Sequence, residues 1–142
     1  MVEILLVIAV VAILAAIAVP AYRTYVNRAN TAKAISDIGK IEARIEAYRT
    51  NSNDTLPPDL ATIGLGGLMD PWGYPYAYLP FAGLKGKGAM RKDKNLVPIN
   101  SDYDLYSIGP DGQSVPPLTA KPSQDDIVRA SDGAFVGVAT DF

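Results

Sequence analysis

The sequence excludes several classes of protein by what it lacks. Neither cysteine nor histidine occurs among its 142 residues. Without cysteine there is no disulfide framework, although an exported domain would permit one. Without histidine and cysteine the chain lacks the commonest general base and two common nucleophile arrangements. Its Asp and Glu pairs stand in no recognisable catalytic frame, and Gly64, Gly66 and Gly67 do not form a phosphate-binding loop. We therefore expect a protein that is not an enzyme.

Net charge is also scarce. Thirteen Lys and Arg against fifteen Asp and Glu give a formal net charge of −2, which argues against a general nucleic-acid binder. The charges are nevertheless uneven. The 85–94 loop carries five basic residues against Asp93, whereas residues 101–142 hold seven Asp against Lys121 and Arg129. Either these patches of opposite sign meet between copies of the chain, or both are solvated loops.

The N-terminal twenty residues carry the strongest signal in the chain. Sixteen uninterrupted apolar residues, from Ile4 to Val19, follow Glu3 and end at Pro20. Sixteen helical residues cover roughly 24 Å, slightly less than the ~30 Å hydrocarbon core of a bilayer. An acidic residue at membrane depth costs several kcal/mol unless it finds a partner, so Glu3 is a candidate functional residue. The pattern predicts a membrane-resident helix half over residues 1–21.

Two other interpretations of this segment stay open. In a secretory signal peptide, Ala16-Ile-Ala18 would imitate a cleavage site. However, the residues before the apolar run include Glu3 and no Lys or Arg, where a signal peptide has positive charge. In a plain membrane anchor, Glu3 would have no special role.

Beyond Pro20 the pattern becomes that of an amphipathic helix over residues 22–52. Pro20 removes one backbone hydrogen bond, so we expect the rod to kink or melt locally there. We expect pairs between Asp37 and Lys40 and between Glu46 and Arg49 on the polar face. The apolar stripe consists of Tyr22, Tyr25, Val26, Ala29, Ala32, Ile35, Ile38, Ile41, Ile45 and Tyr48. The predicted polar face consists of Lys33, Asp37, Lys40, Glu42, Arg44, Glu46 and Arg49.

The composition changes after the helix, because ten of the eleven prolines lie after residue 56. We predict a globular sheet-and-loop domain over residues 53–142, with strands at 74–79, 103–108 and 134–138 and a helical turn at 60–63. The expected fold class is α+β: a long N-terminal helix packed on a small antiparallel sheet with long loops.

The acidic residues of the C-terminal loops suggest a cation site. Asp111, Asp125 and Asp126, with backbone carbonyls of the intervening turn, are hard oxygen donors of the kind that Ca²⁺ prefers. They do not have the spacing of a helix-loop-helix calcium loop. Solvated turn aspartates are the alternative.

Two stretches of the N-terminal helix resemble a known family. Glu3-Ile-Leu-Leu6 and Ile13-Leu-Ala-Ala-Ile-Ala-Val-Pro20 resemble the N-terminal segment of type IV pilins and pseudopilins, including the spacing from glutamate to proline. In that family a prepilin peptidase removes a leader, and the new N-terminus is methylated. The family's glutamate is the fifth mature residue, so the resemblance implies that two residues and the leader precede Met1.

The C-terminal half resembles one branch of this family. Asp70-Pro-Trp-Gly-Tyr-Pro-Tyr76 and Tyr106-Ser-Ile-Gly-Pro-Asp-Gly112 are similar to signatures of the major pseudopilin of type II secretion. In major pseudopilins a calcium ion holds the loop after this turn. The resemblance therefore implies Ca²⁺ ligands at the carbonyl of Ile108 and at Asp111 and Asp125, with Asp126 as a further candidate. The stretch from Gln113 to Gln124 differs from those pseudopilins, which leaves room for a true pilus subunit.

The resemblance implies a structural subunit of a helical filament in a Gram-negative-type envelope. Its subunits would wait in the inner membrane with a periplasmic sheet domain, and an assembly platform and minor subunits would be partners. Glu3 and Pro20 would be the assembly residues. An extracellular pilus for adhesion, motility or a surface fibre is the first alternative. A membrane-anchored binding module that does not polymerise is the second.

Overall fold

A computed structural model describes residues 1–142 of the chain. It contains one long α-helix, four strands and four short 3₁₀ turns. The helix α1 spans Val2–Asn51, and the strands are β1 (Ala77–Pro80), β2 (Tyr103–Ser107), β3 (Ile127–Ala130) and β4 (Phe135–Val138). The 3₁₀ turns are Ala61–Ile63, Lys121–Ser123, Ser131–Gly133 and Ala139–Asp141. By its internal contacts the chain divides into two units, Met1–Asn30 and Thr31–Phe142.

The four strands form one antiparallel sheet in the order β1-β2-β3-β4. Tyr78 pairs with Leu105 between the first two strands, and Val128 pairs with Tyr106 on one side and with Gly137 on the other. The predicted α+β class, with a long helix packed on a small antiparallel sheet, is confirmed. The strand β3 was not predicted, because all four of its residues are buried and its sequence does not alternate.

One face of the sheet packs against the C-terminal part of α1. Ile38, Ile41 and Ile45 are fully buried and lie in one apolar cluster with Leu105 and Ile127. Their steps of three and four place them on one face of the helix. A second apolar cluster is formed by Ile99, Leu118, Val128, Ala130 and Ala139, with the C-terminal Phe142 packed against it. The core of the unit Thr31–Phe142 therefore has two parts, one of them built on the helix.

The predicted stripe and polar face of the helix are each wrong in part. Tyr22 and Tyr25 are exposed, at 69% and 73% of their surface, because the core begins only at Ala34. Asp37 is buried, although it belonged to the predicted polar face. It remains charged because Lys33 and Lys40 both donate to it, at 2.7 and 3.0 Å.

The helix is continuous through Pro20, so the local melting predicted there is absent from this structure. Proline lacks the N–H that would bond the carbonyl four residues earlier, which leaves Ala16 without its helical donor. On the other side, the Thr24 hydroxyl donates to the Pro20 carbonyl at 3.1 Å. One missing hydrogen bond is thus accommodated without a break.

The element boundaries differ slightly from the predicted ones. β1 begins at Ala77 rather than Tyr74, because the Asp70 N–H donates to the Tyr74 carbonyl at 2.7 Å and keeps Tyr74 in a turn. The predicted helical turn at 60–63 is present as the 3₁₀ turn Ala61–Ile63. The contacts divide the helix after Asn30, whereas the sequence placed its change of character after residue 21.

Candidate assembly segment and cation site

The N-terminal apolar segment has no partner within the chain. Its large apolar side chains between Ile4 and Val19 are 48–67% exposed. Neither of the two apolar clusters includes a residue before Ala34. α1 is the one helix long and apolar enough to span a membrane by length and composition. Exposed apolar surfaces of this size mark sites of contact with a membrane or with other proteins.

Glu3 lies in the first turn of α1, where its charge is favourable to the helix dipole. The Leu5 N–H donates to the Met1 carbonyl at 3.3 Å, so the helix is regular from its first turn. Glu3 takes part in no ion pair of the chain, since the first pair along the sequence is Lys33 with Asp37. The Glu3 carboxylate is thus exposed and without an ionic partner in the chain, next to an exposed apolar run.

The two C-terminal motif regions contact each other through Asp70 and Ser107. One oxygen of the Asp70 carboxylate accepts from the backbone N–H groups of Trp72 and Tyr74, at 3.0 and 2.9 Å. The other oxygen accepts from the Ser107 hydroxyl, which in turn accepts from the Gly109 N–H. Asp70 is 5% exposed. This carboxylate therefore fixes the 70–76 turn against the end of β2 and the turn that follows it.

The turn after β2 brings two of the predicted calcium ligands together. The Asp111 N–H donates to Oδ2 of Asp125 at 3.2 Å, and Oδ1 of Asp111 accepts from the Gln113 N–H at 2.8 Å. Gly109 has a φ of 68°, and a Cβ there would lie 2.5 Å from the Asp125 carbonyl oxygen. Since Gly109 follows Ile108 directly, the backbone next to the third predicted ligand lies against Asp125.

Asp126, the further candidate ligand, is buried and takes part in an ion pair within the chain. Its Oδ2 forms a buried ion pair with the Arg91 guanidinium and also accepts from the Ser114 hydroxyl at 2.6 Å. Burial raises the pKa of Asp126 to about 6, against the lowering effects of Ser114 and Arg91. Its Oδ1 is buried without a hydrogen-bond partner, which is the one feature of Asp126 that fits a cation. Arg91 also lies 4.2 Å from the centre of the Tyr106 ring.

These residues fit a cation only in part. The Asp125 carboxylate lies against the backbone N–H of Asp111 and its main chain lies close to Gly109, whereas one oxygen of Asp126 is committed to Arg91. No group of three or more acidic side chains is arranged to hold a metal ion. Asp111, Asp125 and the carbonyl of Ile108 together offer carboxylate and carbonyl oxygens, and Ca²⁺ accepts a ligand set of this kind.

Arg129 joins the helix to the sheet and was not predicted to do so. It is 3% exposed, and it pairs with Glu42 of α1 and with Asp102, at 2.8 Å each. Its guanidinium lies 4.0 Å from the centre of the Tyr103 ring. Gly133 has a φ of 91°, which favours glycine, and a Cβ there would displace the Glu42 carboxylate from its position. A single Arg in an otherwise apolar segment could have indicated a buried, paired residue. The sequence does not indicate which residues pair with it.

The predicted pairs on the helix surface are present, with Lys40 to Asp37 at 3.0 Å and Arg49 to Glu46 at 3.0 Å.

Comparison of the chain with protein-family models, with curated proteins and with solved structures finds no match. The case for a function therefore depends on the residues and their geometry.

Proposed function

We propose that the chain is a structural subunit that polymerises into a helical filament of the type IV pilus kind. We propose further that it is most like the major pseudopilin of a type II secretion system, which drives export of folded proteins. The observation that carries the proposal is the exposed run from Ile4 to Val19 behind a single carboxylate. The unit Thr31–Phe142, which we call the globular unit, has its own apolar core without this run. The run is therefore available to lipid or to other subunits.

In the proposed mechanism the subunit waits in the inner membrane, with its sheet domain on the periplasmic side. On assembly the apolar helices leave the lipid and pack against one another in the filament core. Glu3 then pairs with the free N-terminal amine of a neighbouring subunit. A buried ion pair contributes little net stability, because its desolvation offsets its Coulomb attraction, so its effect is to fix the register of the subunits. Melting of the helix near Pro20 during extraction remains part of the proposal.

Surface charge supports contacts between the globular units of such a filament. Lys85, Lys87 and Lys94 are exposed, whereas Arg91 of the same loop is buried against Asp126 within the chain. We propose that the exposed lysines face the acidic C-terminal region of a neighbouring copy. Complementary charge would set orientation and association rate more than affinity.

We also propose that Asp111, Asp125 and the carbonyl of Ile108 hold Ca²⁺, with Oδ1 of Asp126 as a further candidate ligand. The ion would supply positive charge beside the Asp125 carboxylate, which lies against the backbone of Asp111. We expect added CaCl₂ to raise the melting temperature of the chain, since a ligand that binds only the folded state stabilises it. Asp125→Asn should abolish the shift, and MgCl₂ is the control because Mg²⁺ demands a more regular shell of ligands. Equal melting temperatures with and without CaCl₂ would remove calcium from the proposal.

The assembly proposal is tested with Glu3→Ala. We expect the variant to insert in the membrane as a monomer and to incorporate poorly into filaments, because its neighbour's amine loses its partner. Electron microscopy of sheared filaments, with mass spectrometry of the subunit, measures the yield. Glu3→Asp is the matched control, since it keeps the charge and should retain part of the yield.

A normal yield from Glu3→Ala would refute the pairing. Long surface filaments of the unmodified chain would favour the extracellular pilus over the pseudopilus. A chain that stays in the membrane without forming filaments or self-crosslinks would overturn polymerisation and favour the anchored binding module.

A further inference from the structure

The segment that follows the apolar run carries two tyrosines and two arginines. Tyr22, Arg23, Tyr25 and Arg28, which we call the collar, are all exposed. Neither arginine belongs to an ion pair, since the first pair along the chain is formed by Lys33. Both lie in the unit Met1–Asn30, which contributes no residue to the apolar core. Within the chain both guanidinium groups are therefore free to contact solvent, lipid or another protein.

The collar has charge of one sign only. Between Glu3 and Asp37 the sequence contains no acidic residue, whereas Arg23, Arg28 and Lys33 lie in that interval. Lys33 is paired with Asp37. Two unpaired guanidinium groups in a stretch without carboxylates are complementary to an anionic surface. The fork geometry of arginine matches phosphate oxygens.

The position of the collar along the helix fits the edge of a bilayer. At 1.5 Å per residue, Arg23 lies about 30 Å along the helix from Glu3, which equals the thickness of the hydrocarbon core. The two charges thus bracket the core. The collar itself covers roughly 9 Å of helix, comparable to the depth of one headgroup layer.

The collar is too wide to form one face of the helix. At about 100° per residue, its four side chains span roughly 220° of the circumference. A helix that lies flat on a membrane separates apolar and charged residues onto opposite faces. The run Ile4–Val19 is instead apolar on all sides, and the collar follows it. This arrangement is typical of a span that crosses the bilayer, with tyrosines at the level of the headgroups.

We infer that the collar is a binding site for the phosphate groups of anionic lipids, with Arg23 and Arg28 as ligands and Tyr22 and Tyr25 at the hydrocarbon boundary. The inference rests on the membrane-inserted state in the proposed function and not on polymerisation. Its consequence is that the subunit is held at one depth before assembly, with Glu3 at the opposite edge of the hydrocarbon. Extraction then requires release of the bound headgroups.

The test uses the full chain in nanodiscs of equal parts phosphatidylcholine and phosphatidylglycerol. Native mass spectrometry of the released protein measures which lipids are retained. We expect retained phosphatidylglycerol to exceed phosphatidylcholine by on the order of threefold or more, because each basic residue near an anionic surface adds to its attraction. The double variant Arg23→Gln with Arg28→Gln should retain the two lipids about equally.

The matched control is Arg44→Gln with Lys121→Gln, which removes the same charge from two exposed residues outside the collar that form no ion pair. It should keep the preference of the unmodified chain. An equal loss of preference in the control would overturn the inference, because general electrostatics would then explain the binding. Loss of filaments from the collar variant with unchanged lipid retention would also overturn it, and would assign the collar to a second copy of the chain.

The failures of the two proposals can be told apart. A chain that inserts in nanodiscs but shows no lipid preference contradicts the collar alone. A chain that does not insert contradicts the membrane-inserted state on which both depend. Unchanged Trp72 fluorescence in each variant, since Trp72 is the one tryptophan, would confirm that the globular unit is folded.

Discussion

The two units of the chain use similar apolar residues in opposite ways. Ile13 is 61% exposed in the unit Met1–Asn30, whereas Ile41, on the same helix, is fully buried in the unit Thr31–Phe142. The hydrophobic effect acts on both, but only Ile41 is covered within the chain. The globular unit therefore covers its apolar side chains within one polypeptide. The apolar side chains of the unit Met1–Asn30 can be covered only by lipid or by another protein. Four substitutions, with two further ones as controls, test this division.

The largest expected effect is that of Arg129→Ala in the second unit. The change leaves the carboxylates of Glu42 and Asp102 without their buried partner and removes the cation from the Tyr103 ring. Breaking a buried ion pair by removing one partner costs about 3–5 kcal/mol. We expect urea unfolding in detergent, followed by Trp72 fluorescence, to show this loss.

Arg44→Ala is the matched control for Arg129→Ala. Arg44 is exposed on the same helix as Glu42 and forms no ion pair, so its loss should change the free energy of unfolding by less than about 0.5 kcal/mol. Similar effects of the two substitutions would mean that Arg129 does not hold the helix to the sheet.

The next expected effect separates the two units directly. Ile41→Ala removes a fully buried side chain from the main apolar cluster, at a cost of about 2–5 kcal/mol in the free energy of unfolding. Ile13→Ala removes the same atoms from an exposed position, so Trp72 fluorescence should report no change. Its effect should appear instead as a lower filament yield.

The Ile41 and Ile13 variants are controls for each other. If Ile13→Ala destabilised the globular unit, the first unit would contribute to its folding and the division would fail. If it left both stability and filament yield unchanged, the apolar run would not be the assembly surface.

Much of the fold could be predicted because it follows from patterns within single segments. The steps of three and four at Ile38, Ile41 and Ile45 indicate one buried helix face, and the tyrosine-containing segment from Tyr103 to Ile108 is closed by the turn Gly109-Pro-Asp-Gly112. β3 could not be predicted, since its four residues are buried on both faces. A short run of this kind has no period that distinguishes it from a loop.

The polar contacts of the site were less predictable, because they join residues far apart in sequence. Arg129 and Glu42 are separated by 87 positions, and Arg91 and Asp126 by 35. Which of several acids meets a buried arginine depends on the packing of β2, β3 and α1. For the same reason the contact of Asp126 with Arg91 could not be predicted. Asp126 has the chemistry of a calcium ligand, but the packing of the chain places it against Arg91. Asp111 and Asp125 were grouped because of their acidic chemistry and the resemblance, and no pattern in the sequence predicts the contact between them.

The smallest expected effect concerns a surface turn of the second unit. The Asp132 carboxylate accepts from the backbone N–H and the hydroxyl of Ser101, at 2.6 and 2.8 Å. The Ser101 N–H is the main reason that the pKa of Asp132 lies below its usual 3.8. Asp132→Asn keeps one acceptor oxygen and tolerates the left-handed backbone at this position. We expect it to lower the free energy of unfolding by about 1 kcal/mol at neutral pH.

The pH dependence of this difference identifies the charge as its cause. Because the folded pKa of Asp132 is lowered, its contribution is present above the unfolded value of 3.8 and is lost as pH falls through the folded one. We expect the free energies of unfolding of wild type and Asp132→Asn to differ by a constant amount from pH 7 downwards. This difference should disappear below about pH 4. Asp141→Asn, at an exposed aspartate that accepts no hydrogen bond, should show no gap at pH 7. If the free energies of unfolding of wild type and Asp132→Asn changed in parallel at all pH values, the loss of stability would come from the backbone of the turn and not from the charge of Asp132.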